Sequence, residues 1–390
     1  MLLRDAHPDT SHGGGNMKFQ VSGSMFQTGC ALALQAVPQG MARPILSNLL
    51  LEGQGNVLRL TGTDLESSIQ ASLESPEASG EGRVLVPASR LHGVAREGSE
   101  GDVTLETNAQ GLRISIKGGR FRLPVSDPSE FPNPREEENA GIEMEAGILF
   151  EMLRKTLFAA AKEISAYTLN GVFVKAGGGK IEMVGTDGKK MARVRRNVPG
   201  EESFQGILPL RLAQQMEKTL AAAPEGAKAR FWVGDRRARV QGDAGPGLRV
   251  TVSGRLVDGK YPDYEAVIPK AGPRAFGVDR EKLGEAIRRA ALLSDAYSRL
   301  IRMHIEKGVL SIRGESRDAG ESEAEVPIEY AGESFDIGFN ADFLLDLIRA
   351  VSDPALRVQF GESAGEFGRF EAGEDYVYVV APIDLEGNAG

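Results

Sequence analysis

Three stretches of this chain repeat one another in order, at intervals of about 120–130 residues, and that triplication narrows the folds open to it. Gly62-Thr63-Asp64, Gly185-Thr186-Asp187 and Gly314-Glu315-Ser316 each end a strand-like run, at 57–60, 180–184 and 309–313. A second landmark keeps the same period. Val84-Leu85-Val86-Pro87, Ile207-Leu208-Pro209 and Ile337-Gly338-Phe339-Asn340 each open a helical pattern, at 88–97, 210–223 and 341–351. Further helical patterns start the three units, at 25–37, 149–162 and 280–293.

Each unit therefore reads strand, helix, strands, helix, strands. Alternation of apolar and polar residues marks the strands, as in Val103-Thr104-Leu105-Glu106, and short turns such as Gly118-Gly119 join them. Strands joined by short turns favour antiparallel sheets and hence an α+β fold. Pro- and Gly-bearing breaks near 140 and 272 divide the chain. The expected organisation is a disordered extension over 1–16 and domains at 17–138, 139–271 and 272–390. Similar domains in line make an arc, and an arc can close by symmetric dimerisation.

Composition excludes several function classes. The formal net charge of −9 opposes tight wrapping of nucleic acid, unless the basic residues gather on one face. The single cysteine, Cys30, allows no internal disulfide, and no Cys/His cluster offers a zinc site, so neither metal nor cofactor is expected. Cys30 sits in the apolar stretch Gly29-Cys30-Ala31-Leu32 and reads as core. Cysteine usage fits a reducing cytoplasm, residues 1–16 lack the apolar core of a signal peptide, and no apolar run is long enough to span a membrane. Asp64, Glu66 and Asp187 could suggest two-metal phosphoryl transfer, but an Asp after a strand more simply caps its own turn. Gly178-Gly179 has no Gly-Lys-Ser/Thr sequel, so no phosphate loop is indicated, and no catalysis is expected.

The family resemblance rests on motifs spread along the chain. They are the stretch from Arg43-Pro44-Ile45-Leu46 to Leu51, Thr61-Gly62-Thr63-Asp64-Leu65-Glu66, Phe131-Pro132 and Leu169-Asn170-Gly171. Gly185-Thr186-Asp187-Gly188, Lys260-Tyr261-Pro262-Asp263-Tyr264, Ile268-Pro269, Ile337-Gly338-Phe339-Asn340, Leu344-Leu345-Asp346 and Tyr378-Val379-Val380-Ala381-Pro382 follow. In this order and spacing the chain resembles the bacterial β sliding clamps, the β subunit of DNA polymerase III, from Met17 to Leu385. The resemblance implies a DNA-clamp fold of three similar domains, each with antiparallel sheets outside and two helices lining a central hole. It implies a head-to-tail homodimer encircling duplex DNA without reading its sequence. The ring would tether the polymerase catalytic subunit, serve other polymerases and repair proteins with clamp-binding peptides, and be loaded by an ATP-dependent clamp loader.

By the same resemblance, basic residues on or near the helices should face DNA: Arg43, Arg90, Arg96, Lys155, Lys162, Arg211, Lys218, Lys282 and Arg289. Lys155 and Lys162, and likewise Lys282 and Arg289, stand seven residues apart, a spacing that puts both on one helix face. The pattern at 25–37 carries no Lys or Arg. A partner pocket should use Leu169, Thr186, Gly188, Lys189, Met191, Pro262, Val267, Asn340 and Phe343. The tail should wall it with Val379, Val380, Ala381, Pro382, Ile383 and Leu385. Pro382 reads as the end of the last strand, leaving Ile383 and Leu385 beyond the sheet as partner surface. Asp384, Ala266 and Ser298 depart from the family's basic or larger residues, which makes the pocket shallower and more acidic. Two rivals compete with the clamp: an acidic repeat scaffold for protein contacts, and a metal-dependent nuclease or polymerase using Asp64 and Asp187.

Overall fold

The computed structural model describes residues 16–40, 43–132, 141–163, 170–270, 272, 274–318, 320–361 and 365–385. Residues 1–15, Leu169 and 386–390 lie outside that set. Six α-helices occur among the described residues: α1 (Gly23–Leu34), α2 (Ala88–Glu97), α3 (Ala146–Leu157), α4 (Leu210–Leu220), α5 (Arg280–Ala291) and α6 (Ala341–Ala350). They match the six helical patterns of the sequence, and three start at side-chain caps. Ser22 Oγ accepts from Met25 N at 3.3 Å, Asp279 Oδ1 from Lys282 N at 2.9 Å, and Asn340 Oδ1 from Asp342 N at 2.9 Å.

The chain forms two compact units. One holds the described residues up to Phe150 with Gln214–Arg255, and the other holds Glu151–Ala213 with the described residues from Leu256 onward. The first unit has a five-stranded sheet ordered Glu77–Ser79, Lys18–Ser22, Asp102–Asn108, Gly111–Ile116, Gly119–Leu123. Its eight-stranded sheet runs Ile142–Glu145, Lys228–Val233, Arg237–Asp243, Leu248–Arg255, Ser67–Glu74, Val57–Thr63, Asn48–Gln54, Gly82–Pro87. The second unit has an eight-stranded sheet ordered Phe204–Pro209, Gly171–Gly177, Lys180–Thr186, Lys190–Asn197, Tyr376–Val380, Gly368–Ala372, Ala355–Phe360, Arg274–Asp279. A four-stranded sheet ordered Gly320–Pro327, Val309–Ser316, Leu300–Glu306, Phe335–Asn340 completes it.

The sequence repeat is therefore not the unit of packing. Leu248–Arg255, from the middle repeat, pairs antiparallel with Ser67–Glu74 of the first, from Leu248↔Leu73 to Gly254↔Ser67. Lys190–Asn197 pairs in the same way with Tyr376–Val380 of the last repeat, from Lys190↔Val380 to Val194↔Tyr376. Each eight-stranded sheet thus runs through a repeat boundary on backbone hydrogen bonds.

The repeated glycines have a common cause. A Cβ on Gly62 would stand 2.3 Å from Ala33 O, one on Gly185 2.2 Å from Thr156 O, and one on Gly314 1.9 Å from Ala290 O. In every repeat the carbonyl at the end of the first helix rests directly on this strand position, and only glycine leaves room. Gly185→Ala is expected to lower stability by about 1–3 kcal/mol, because the obstacle is backbone that cannot rotate away. Chemical denaturation measures it, and an unchanged midpoint would contradict the close approach.

The turn after that strand is also repeated. Asp64 Oδ1 accepts from Glu66 N at 3.1 Å and Ser67 N at 2.7 Å, and Asp187 Oδ1 from Lys189 N and Lys190 N, both at 2.9 Å. These are turn-capping carboxylates. Cys30 is on the buried face of α1, and burial pushes its thiol far up.

Candidate functional site

On the second unit, the chain after Leu256 folds back over the face of the eight-stranded sheet that carries Val184 and Met191. Val257 N donates to Ile207 O at 2.9 Å, and the Tyr261 hydroxyl donates to Val184 O at 3.1 Å. Tyr261 stacks on Phe173, with ring centroids 5.0 Å apart, and Tyr264 packs beside both. Val184, Met191, Ile207, Tyr261, Tyr264, Val377 and Val379 form the core under this cover. Burial holds the phenols of Tyr261 and Tyr264 well above their ordinary range, and at Tyr264 the bond to Glu182 adds to it.

Where this cover stops, a mostly apolar groove of about 190 Å³ opens. Met191 and Val379, register partners on adjacent strands, form its floor. Pro262, Tyr264 and Val267 of the covering segment line it, together with the Thr186–Lys190 turn and Phe367. Gly188 gives the turn its left-handed residue, at φ +86°. Val267 is 44% exposed, a large apolar side chain left in water.

Lys190 lines the groove next to Met191, but strand alternation sends its side chain to the opposite face of the sheet. Only 9% exposed, it lies 3.1 Å from Asp346 Oδ2, with its ammonium 4.7 Å from the Phe343 ring centroid and 5.7 Å from that of Phe158. The ion pair and the aromatic faces offset its desolvation.

The structure thus brings Thr186, Gly188, Lys189, Met191, Pro262, Val267 and Val379 together in the groove. It adds Lys190, Asp263, Tyr264 and Phe367, which the sequence reading missed. Lys190 had a local signal: strand alternation from exposed Lys189 turns it inward. Asn340 and Phe343 stand behind the groove instead. Asn340 caps α6 and donates to Ser298 O at 2.9 Å, while Phe343 supports Lys190.

The last strand ends at Val380, before Pro382 as expected, but the tail beyond it does not stand free. Ala381 N donates to Lys189 O at 2.8 Å, and beyond the proline Ile383 N donates to Gly338 O at 2.8 Å. Ile383 and Gly338 form a β-bridge, and the Leu385 side chain lies over Gly338 beside Leu300. Val380 is fully buried, and Ala381, Pro382, Ile383 and Leu385 are half-buried. Past Pro382 the chain leaves its own sheet, and Ile383 and Leu385 cover the neighbouring four-stranded sheet rather than stand free.

The helices supply the second candidate surface. Arg90 and Arg96 are exposed on α2, Arg211 and Lys218 on α4, and Lys282 and Arg289 on α5, where Arg289 pairs with Glu285 at 3.3 Å. Arg43 is exposed just before the short 3₁₀ turn Pro44–Ser47. Exposed Arg288, beside Arg289, joins this set unforeseen.

One expected member is buried, and another is exposed but leaves its helix. Lys155 is 3% exposed, paired with Glu151 at 2.5 Å and 3.8 Å from Asp353, with its ammonium over the Tyr376 ring. Burial alone would raise the Glu151 carboxyl, but Lys155 and Arg196 outweigh it and hold the group below the usual range. Lys155 is therefore an internal tie and not a phosphate contact. Lys162 is exposed but not helical: α3 ends at Leu157, and Ala161 N turns away to donate to Thr186 O at 3.0 Å. The supposed common helix face of Lys155 and Lys162 does not exist.

Comparison with known proteins agrees from residue 17 to residue 383. Family models of DNA polymerase III beta subunit match in order: the N-terminal domain at residues 17–134, the central domain at 143–263 and the C-terminal domain at 265–383. The beta sliding clamp of Pseudomonas aeruginosa is 30% identical over 360 residues, covering 91% of this chain and 96% of that protein. The beta sliding clamp of Synechococcus elongatus is 28% identical, covering 95% of this chain and 100% of that protein. Among solved structures, a Pseudomonas aeruginosa sliding clamp bound to griselimycin matches with a TM-score of 0.86 at 28% identity, over 96% of this chain and all of that one. The DNA polymerase III beta subunit of Thermotoga maritima matches with a TM-score of 0.85 at 26% identity, over 95% of this chain and all of that one. With its three-domain clamp fold, the chain belongs to the bacterial β sliding clamps, the non-catalytic β subunit of DNA polymerase III, and its function is that of a DNA sliding clamp in replication.

Proposed function

We propose that two copies of this chain close head to tail into a ring around duplex DNA in the cytoplasm, with three domains per copy at 17–138, 139–271 and 272–390. The helices line the hole, and an ATP-driven clamp loader opens and closes the ring. The groove beside Val267 takes short peptide segments of the replicative polymerase, the loader and repair proteins. The observation that carries this reading is the placement of exposed Arg211, Lys218, Lys282 and Arg289 on helices of a chain whose net charge is −9. A ring holds DNA by topology, so a few non-specific phosphate contacts suffice and leave sliding free.

Two sheet edges support head-to-tail closure. Edge strand Gly119–Leu123 presents exposed Arg120 and Arg122, and edge strand Gly320–Pro327 presents exposed Glu321, Glu323 and Glu325. Between copies, opposite edges attract and like edges repel. The groove is small and apolar, which suits micromolar affinity, about −8 kcal/mol, and rapid exchange of clients. A relative bound to griselimycin supports a ligand-taking surface in the family.

The test is the mass in solution together with retention on nicked circular and on linearised DNA. The expected outcome is twice 41.8 kDa, with retention on circles that is lost on linearisation. The triple variant Glu321→Lys, Glu323→Lys, Glu325→Lys should be monomeric. A monomeric wild type, or equal retention on both DNA forms, overturns the ring.

A further inference from the structure

Glu182 stands inside the strand Lys180–Thr186 and is 7% exposed. A carboxylate so buried is costly unless its oxygens are occupied. They are occupied: Oε1 accepts from the Tyr264 hydroxyl and Oε2 from Arg195 Nε, with Arg193 Nε 3.8 Å from Oε2. Arg195 Nη2 reaches on to Glu265 Oε1 at 3.4 Å. Two consecutive residues of the covering segment, Tyr264 and Glu265, are thereby tied to one buried charge.

Tyr264 lines the groove, and Glu182 does not. The segment itself has other anchors: Val257 on Ile207, Tyr261 on Val184, and Arg369 Nη1 on Pro269 O at 2.8 Å. The bond from Glu182 is aimed at the hydroxyl of a lining residue, so what it fixes is the attitude of that ring. We propose that Glu182 is a positioning residue for the groove, holding the Tyr264 ring as a rigid wall against which an apolar peptide side chain packs. This rests on the reading of the groove as the peptide site. A wall held in place before binding saves the peptide the cost of ordering it.

The experiment titrates a fluorescein-labelled short peptide carrying one glutamine and two leucines against the full-length protein. Tyr264→Phe and Glu182→Leu are each expected to weaken binding on the order of tenfold, the size of one broken hydrogen bond to a buried charge. Glu182→Gln keeps an oxygen for Arg195 and an amide for the Tyr264 oxygen, and should bind within about twofold of wild type. The double variant Glu182→Leu, Tyr264→Phe should be no weaker than either single one, because both remove the same tie. Wild-type affinity in Tyr264→Phe, or additive losses in the double variant, overturns the proposal. If Glu182→Leu does not fold, Tyr264→Phe and Glu182→Gln still decide it. Val267→Glu is the control for the underlying reading: peptide binding that survives it removes the groove as the peptide site, whatever Glu182 does.

Discussion

Val267→Glu is expected to weaken binding of the glutamine- and leucine-bearing peptide by about a hundredfold or more, and to leave the fold intact. The side chain is 44% exposed, so in the free protein a carboxylate there stays in water and costs little. In the complex it would be buried against the peptide's apolar atoms among Met191, Pro262 and Val379. An unpaired charge in such a place costs about 3 kcal/mol or more, the size of the expected loss. Fluorescence anisotropy reads the affinity, and thermal unfolding reads the fold. Near-wild-type binding by a folded variant would move the partner site away from this groove.

The second large effect is electrostatic. Changing Arg211, Lys218 and Lys282 together to Glu should lower the slope of log K against log salt by roughly three units, at about 0.9 for each phosphate no longer neutralised. All three are exposed on helices, so the unfolding midpoint should hardly move. Lys155→Ala should do the reverse. It strips the charge paired with Glu151 and Asp353, lowering the midpoint while leaving the salt slope unchanged. Equilibrium DNA binding between low and moderate salt separates the two. An unaltered slope in the triple variant would show that those cations do not meet phosphates.

Much of the fold was legible because its devices are local. Asp279 and Asn340 announce α5 and α6 as N-caps, and the Gly-Thr-Asp signature recurs because a helix carbonyl needs an empty space at Gly62 and Gly185. What the sequence did not disclose depends on partners far along the chain. The seven-residue spacing of Lys155 and Lys162 ignored the point where α3 yields Ala161 to the Thr186 carbonyl. Ile383 read as free partner surface beyond the strand because nothing local reveals Gly338 as its acceptor. Glu182 and Tyr264, 82 residues apart, meet only when the covering segment folds back. The groove was half visible for the same reason: its turn and floor come from recognisable stretches, whereas Phe367 arrives from an unremarkable loop.

The strand Tyr376–Val380 lies among the last described residues, yet it fills the interior of an eight-stranded sheet, between Lys190–Asn197 and Gly368–Ala372. That order bears on synthesis. A ribosome delivers Lys190–Asn197 long before the strand that covers its edge, so the growing chain carries a Val- and Met-bearing template with unpaired backbone until the residues between the two strands have been made. Every nascent copy passes through that window, and neighbouring copies on one messenger pass through it together. Sealing waits for Tyr376–Val380 to clear the exit tunnel, which makes the emergence of that strand the step at which this sheet is committed.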